Sequence, residues 1–479
     1  MCGIVGIFRN DNSVNAEDYN AVSAMLDKIK HRGIEQSVKQ FDNGLTVGFT
    51  RLPITELKSQ QPYVGEWTVY LNGEIYNYKD LGEGSECEVI SKGLQREGLN
   101  FIKRLNGMFV ILAINGNQSM LIRDRYGIKP AYHYYLDGGI YFASEIKAFL
   151  ALPDFEVKLS ELEKRQWMSF QNYFSTSTLF HNVRLLKRAS IFNLKTFAIT
   201  QYWSWKFTNE SKDTYQNAVL KVRNLVIEAI QKQIPKEVEF GTCLSGGIDS
   251  NIIAINLPHC KTFSIGYKGF EDERELASLN GKQHYQLNYD RIENLDKTIY
   301  HLEDLRVGAS WANYGLFELA SKYVKVIFDG SGADELFGGY PWRYDMNKDY
   351  VKDVLCRTGV QFECDFNDTY LNRREFDANH FLHGVLLVAD KLSMAHTIEV
   401  RVPFLDNDLV DYVLSLPLEY LENKKLLKDA FLELQPEILN APKKGFTSPD
   451  WIEGEGNQAK KWSEAALTKW IEIFKPINI

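Results

Sequence analysis

Cys2 follows the initiator methionine, and removal of Met1, usual before a small residue, would give one residue both a thiol and a free α-amine. An amine with an ordinary pKa of about 8 can serve as base for the neighbouring nucleophile. Three polar stations further on supply what a glutamine-cleaving thiol would need. Arg51, in Thr50-Arg51-Leu52-Pro53-Ile54, can hold an α-carboxylate bidentately. Asn72-Gly73-Glu74 offers a side-chain amide and a glycine N–H for an oxyanion. Glu86 can receive an α-ammonium group. Singly, each also fits a turn or cap residue, and Cys2 also fits an ordinary first strand. Their joint presence favours the chemistry.

A different chemistry is spelled by Ser245-Gly246-Gly247-Ile248-Asp249-Ser250, which follows the apolar run Val238–Leu244. A strand, a glycine-rich loop and a helix start form a phosphate cradle of backbone N–H groups and hydroxyls. Neither the Walker pattern nor G-x-G-x-x-G occurs. A second strand, Val324–Phe328, runs into Asp329-Gly330-Ser331-Gly332-Ala333-Asp334. Ligand sites at the carboxyl edge of an open α/β sheet are built this way. Asp249 and Asp334 can hold Mg²⁺ through oxygen ligands, or can cap helices.

The elements that must position these groups divide the chain in two. Residues 13–30 have helical spacing. From there to about residue 150, short alternating strands are predicted (Leu45–Phe49, Trp67–Leu71, Phe109–Ile114, Met120–Ile122, Ala131–Leu136, Ile140–Phe142), separated by Asn-Gly and Asp-Gly turns. Stacked antiparallel sheets follow, an α+β domain over 1–205. A boundary near 206 precedes a helix at 215–233 and an α/β domain over 206–479, with a parallel sheet that includes Thr262–Gly266 and a helical C-terminal part.

At 479 residues the chain is too long for one core. Its formal charge of −8, without a long run of either sign, makes neither nucleic acid nor an anionic membrane the default partner. No apolar stretch approaches the roughly 18 residues of a bilayer span, and no signal-peptide layout opens the chain. Six cysteines without a C-x-x-C pair point to reduced thiols and a cytoplasmic location. His380 and His383 find no further ligands in a zinc pattern.

The segments MCGIVGIF, HRG, RLPI, NGEIYN, GSECEVI, LNGMFVILA and RDRYGIKPAYHY resemble the glutaminase domain of class II glutamine amidotransferases, an N-terminal nucleophile fold. The resemblance implies Cys2 as nucleophile and base, Asn72 and Gly73 at the oxyanion, and Arg51, Leu52, Ile54, Glu74 and Glu86 around glutamine. SGGIDS resembles the pyrophosphate loop of ATP pyrophosphatases, which implies ATP contacts at Leu244, Ser245, Gly246, Gly247, Asp249, Ser250, Ile265, Asp329 and Gly330. With GSGADELFGGY and SMAHTIEVRVPFLD, the order of motifs is similar to the glutamine-dependent asparagine synthetases over nearly the whole chain. That family activates aspartate as β-aspartyl-AMP and passes ammonia to it internally. It implies glutamine, aspartate and ATP as substrates, Mg²⁺ at Asp249 and Asp334, Lys443 stabilising charge at the adenylate, and a homodimer. Glu399 and Arg401 are expected to fix the IEVRVPFLD segment.

There are departures. Glu86 replaces the usual aspartate, Ile34-Glu35 replaces Pro-Asp after HRG, and Ser331 stands where the second loop normally carries an acid, with Asp329 two places earlier. The alternative is therefore an amidotransferase acting on another carboxylate: a sugar acid, a peptide or a secondary-metabolite precursor. A degenerate binding protein is a third reading, opposed by the intact SGGIDS and the Cys2 constellation.

Overall fold

The computed structural model describes residues 2–136, 138–257, 259–269, 283–307, 311–363, 367–441 and 449–477. Two antiparallel sheets form the first half. One runs β2 (Glu35–Phe41), β3 (Leu45–Arg51), β1 (Cys2–Arg9), β8 (Gly139–Ala143), β7 (Tyr132–Leu136) and β9 (Arg184–Leu185). The other runs β11 (Ile199–Gln201), β10 (Ser190–Asn193), β6 (Gln118–Arg123), β5 (Gly107–Asn115) and β4 (Thr68–Ile75).

The sheets stack face to face. Ile4, Phe8, Val47 and Phe49 of the first meet Tyr70, Val110, Leu112 and Leu121 of the second. Each outer face is covered by a helix. Val22, Met25 and Leu26 of helix Ala16–Lys28 lie against Val5 and Ile7. Val89, Ile90 and Leu94 of helix Glu86–Glu97 lie against Val69, Leu71 and Ile111. This four-layer arrangement explains why β1, β3, β4 and β5 are buried on both faces instead of alternating. The helix Glu86–Glu97 interrupts the run of short strands expected up to about residue 150, and β2 is a strand that the sequence reading did not name. Ser85 caps that helix by accepting from the Glu88 N–H.

The second half is built on a parallel sheet in the order β14 (His284–Tyr289), β13 (Lys261–Tyr267), β12 (Phe240–Cys243), β15 (Val326–Phe328), β16 (Glu399–Arg401). Strand order reverses between β12 and β15, so the crevice beyond their carboxyl ends is where such a sheet places a ligand. Helix Tyr215–Lys232 precedes β12, with Thr214 capping it, and helix Ile248–Asn256 follows it. Among the described residues, no helix is long and apolar enough to cross a membrane.

The halves are welded together. Residues 202–214 cross between them without regular structure, and Thr208 N–H donates to the Leu414 carbonyl. Asn106 Nδ2 donates to Asp406 at 2.8 Å, and Asn407 Nδ2 to the Leu105 carbonyl at 2.9 Å.

Candidate active sites

Cys2 opens the central strand of the first sheet and is paired in register with Arg51 on β3. It is buried, at 4% exposure. Its backbone N–H donates to Asn72 Oδ1 at 3.1 Å, a bond between the two stacked sheets. Asn72 Nδ2 in turn lies 3.4 Å from Ser144 Oγ, which also accepts from the Ile4 N–H at 2.9 Å. The Leu52 main-chain amide faces the thiol, and burial pushes that thiol's pKa up. At neutral pH the sulfur therefore keeps its proton until a base removes it. Gly73 follows Asn72 at φ +140°, and a Cβ there would lie 1.9 Å from the Met108 carbonyl oxygen. Only glycine allows β4 to approach β5 so closely beside Cys2.

The glutamine-gripping candidates surround this point with their own partners. Arg51 reaches Glu35 at 3.3 Å, the Glu56 carbonyl at 3.2 Å and Ser59 Oγ at 3.2 Å. These are long contacts for a guanidinium, which a carboxylate can improve upon. Glu74 accepts from Thr55 Oγ1 at 2.7 Å and pairs with Arg401 of the second half. Burial pushes the Glu74 carboxyl up to about 7, against the pull of Arg401. Glu86 begins the helix Glu86–Glu97 and accepts from the Ile75 N–H at 2.6 Å. Burial and then Glu74 hold its pKa well above the carboxylate range. Ile54 lies in the core. Cys2, Arg51, Leu52, Asn72, Gly73, Glu74 and Glu86 thus come from four separate segments to one end of the stacked sheets. Glu399 and Arg401 do more than fix their own segment: Arg401 lies 2.8 Å from Glu399 and bridges it to Glu74.

The second site lies at the strand-order reversal. The loop after β12 closes on itself: Ser250 Oγ accepts from the Ser245 N–H at 3.2 Å and donates to the Gly247 carbonyl at 3.0 Å. Gly247 occupies the N-cap of Ile248–Asn256, so helix N–H groups point outward past the loop. The loop after β15 packs directly against it, since a Cβ on Gly330 would lie 2.9 Å from Asp249 Cβ. Asp329 accepts from the Ser331 N–H at 2.8 Å and from its hydroxyl, so the relocated acid and Ser331 are bonded to each other. Ile265 is half-buried on β13, beside Leu244, whose N–H donates to the Phe263 carbonyl.

Lys424 is the residue that sequence reading missed. Its ammonium lies 2.5 Å from both Asp249 and Asp334, drawing the two carboxylates to one point. Although it is buried, the two aspartates hold its pKa above the ordinary value. It stands in Asn423-Lys424-Lys425-Leu426, an amphipathic stretch with no motif to distinguish it. Two converging carboxylates are oxygen donors of the kind that Mg²⁺ takes, and here both are paired with Lys424. Lys443 lies outside the described residues.

Comparison with known proteins bears on both sites. Residues 1–203 match the model of the glutamine amidotransferase domain, and residues 221–358 and 366–473 match that of asparagine synthase. The chain is 29% identical to the glutamine-hydrolyzing asparagine synthetase 1 of Bacillus subtilis (strain 168), over 96% of this chain and 89% of that protein. It is 28% identical to the glutamine-hydrolyzing asparagine synthetase 3 of Arabidopsis thaliana, over 99% of this chain and 84% of that protein. A buried cysteine set among amide and guanidinium groups, a phosphate-type loop crevice and these matches agree: the chain belongs to the asparagine synthase family and carries that family's amino-terminal glutamine amidotransferase domain.

Proposed function

We propose that this chain makes asparagine from aspartate, glutamine and ATP, releasing glutamate, AMP and pyrophosphate, with residues 1–205 as glutaminase and 206–479 as synthetase. The observation that carries this reading is the pairing of the Cys2 constellation with the Asp249–Asp334–Lys424 crevice inside one welded molecule.

In the first half, Arg51 takes the glutamine α-carboxylate, exchanging its long contacts for a charged one. Glu74 and Glu86 face the α-ammonium. The α-amine of processed Cys2 accepts the thiol proton as sulfur attacks the side-chain amide. Asn72 Oδ1 lies at hydrogen-bond distance from the Cys2 nitrogen and keeps it oriented. Gly73 lets the backbone close on the developing oxyanion. Ammonia leaves, and water cleaves the glutamyl thioester to glutamate. In the second half, Ser245 to Ser250 and the helix N-terminus behind them cradle the ATP phosphates. Asp249 and Asp334 would hold Mg²⁺, which neutralises phosphate charge. Lys424 stays within reach of the same oxygens to meet the departing pyrophosphate. Aspartate attacks the α-phosphorus through its β-carboxylate, and ammonia displaces AMP from the adenylate. Lys443 serves the adenylate side. Shared burial between the halves protects ammonia from protonation by solvent.

The test is to supply glutamine, ATP, Mg²⁺ and aspartate, and to follow glutamate, pyrophosphate and asparagine together. All three appear if the reading holds. Glutamate without aspartate-dependent pyrophosphate would sink it and favour another acceptor carboxylate, the reading to which Ser331 lends weight.

A further inference from the structure

Arg32 lies between the two halves and belongs to neither site as described. It is fully buried and its groups are divided three ways. Nε donates to the Cys2 carbonyl at 3.0 Å, while Nη1 lies 2.7 Å from Glu145 and 3.0 Å from Asp390. Among the described residues, Nη2 has no partner, so these bonds alone orient the guanidinium. Asp390 sits on helix Leu382–Met394 of the second half, and its other oxygen is 3.3 Å from Lys129.

The same loop is held at a second point. Thr397 Oγ1 donates to the His31 carbonyl at 2.9 Å. Thr397 has φ +58°, a left-handed conformation that a β-branched residue adopts only under constraint. The loop's far side carries the Arg51 strand: the Ile34 N–H donates to the Arg51 carbonyl at 2.8 Å, and a Cβ on Gly33 would lie 2.7 Å from Arg51 N. Residues 31–34 are thus fastened to Cys2 and Arg51 on one side, and to Asp390 and Thr397 on the other. The second side continues into β16, where the Arg401 carbonyl accepts from the Asp329 N–H at 2.9 Å, at the head of the second glycine-rich loop.

We propose that Arg32 is a positioning residue through which Asp390 and the segment leading to β16 hold the Cys2 main chain in place for attack, so that glutamine cleavage answers to the state of the synthetase half. The inference rests on the function proposed above. Asp390 touches no reacting atom; its charge keeps the Arg32 fork turned so that Nε meets the Cys2 carbonyl.

The experiment measures glutamine hydrolysis and ammonia-dependent synthesis separately in Asp390→Asn and Thr397→Gly, on the full chain. Asp390→Asn keeps the shape and removes the charge. It should lower kcat for glutamine by roughly 10- to 100-fold, the scale of a misplaced nucleophile. KM for glutamine and ammonia-dependent synthesis should remain near wild type, and added ATP with aspartate should no longer change the glutamine rate. Thr397→Gly relieves the left-handed strain and deletes the hydroxyl, so it folds whether or not the aspartate variant does. It should lower glutamine kcat in the same selective way. Parallel loss of both activities, or an unchanged glutamine kcat in Thr397→Gly, overturns the proposal. A wild-type chain that cleaves no glutamine overturns instead the function on which it rests.

Discussion

Two residues show how far a side chain's surroundings set its chemistry. Cys2 is buried, and its thiol is pushed up; without the adjoining amine it is a weak nucleophile at neutral pH. Cys2→Ala should abolish glutamate release from glutamine while sparing synthesis from ammonia, measured as asparagine formed with an ammonium salt. Loss of both activities would contradict the division of labour between the halves. Glu335 is the other. Burial, then Asp334, push its carboxyl from 4.5 to about 8, and Tyr340 hydroxyl donates to it at 3.0 Å. Between these values the folded chain holds a proton that the unfolded chain has released. This contribution to stability is therefore full below pH 4.5 and is lost as pH rises through about 8. Glu335→Gln should flatten that part of the pH dependence, seen as a smaller fall in Tm between pH 5 and 8 than in wild type. Equal slopes in the two proteins would refute the assignment. Most residues of the first site were legible as types with a chemical purpose. Lys424 was not, because a lysine in an amphipathic stretch looks like any solvated lysine until two aspartates are found around it.

The elements place these residues by burial more than by local propensity. β1, β3, β4 and β5 are buried on both faces because each sheet is covered by a helix on its outer side. Hairpin turns such as Asn115-Gly116 were readable, and β5 and β6 pair across that turn. The helix Glu86–Glu97 was passed over, although Ser85-x-x-Glu88 and the helical spacing of Cys87, Ile90 and Leu94 announce it, because the strands on either side dominated the pattern. Gly73 belongs to this scale. Gly73→Ala would drive a methyl into the Met108 carbonyl at a φ that alanine rarely adopts, forcing β4 off β5. We expect glutamine hydrolysis to fall by about 100-fold and ammonia-dependent synthesis to persist, assayed side by side. A variant with normal glutaminase activity would show that the strand tolerates the shift.

In the whole molecule, Arg401 ties the halves through charge. It pairs with Glu74 of the first half and Glu399 of its own strand, all three buried. Arg401→Met should leave two carboxylates without their cation and cost roughly 3–5 kcal/mol, the penalty for breaking a buried ion pair. Calorimetry should show one cooperative transition at lower temperature. Two separate transitions in the wild-type chain would mean that the halves unfold independently and that the weld is weak. The sequence by itself determined the chemistry available: a thiol beside an amine, a phosphate-type loop, an arginine and carboxylates suited to glutamine, and the strand patterns of two sheet systems. Those are properties of residue type and short spacing. Only the tertiary structure decided which charges meet. Glu74 with Arg401, Arg32 with Asp390, and Lys424 with both aspartates are pairs separated by 90 to 358 residues, brought together because burying one charge is tolerable only beside its opposite.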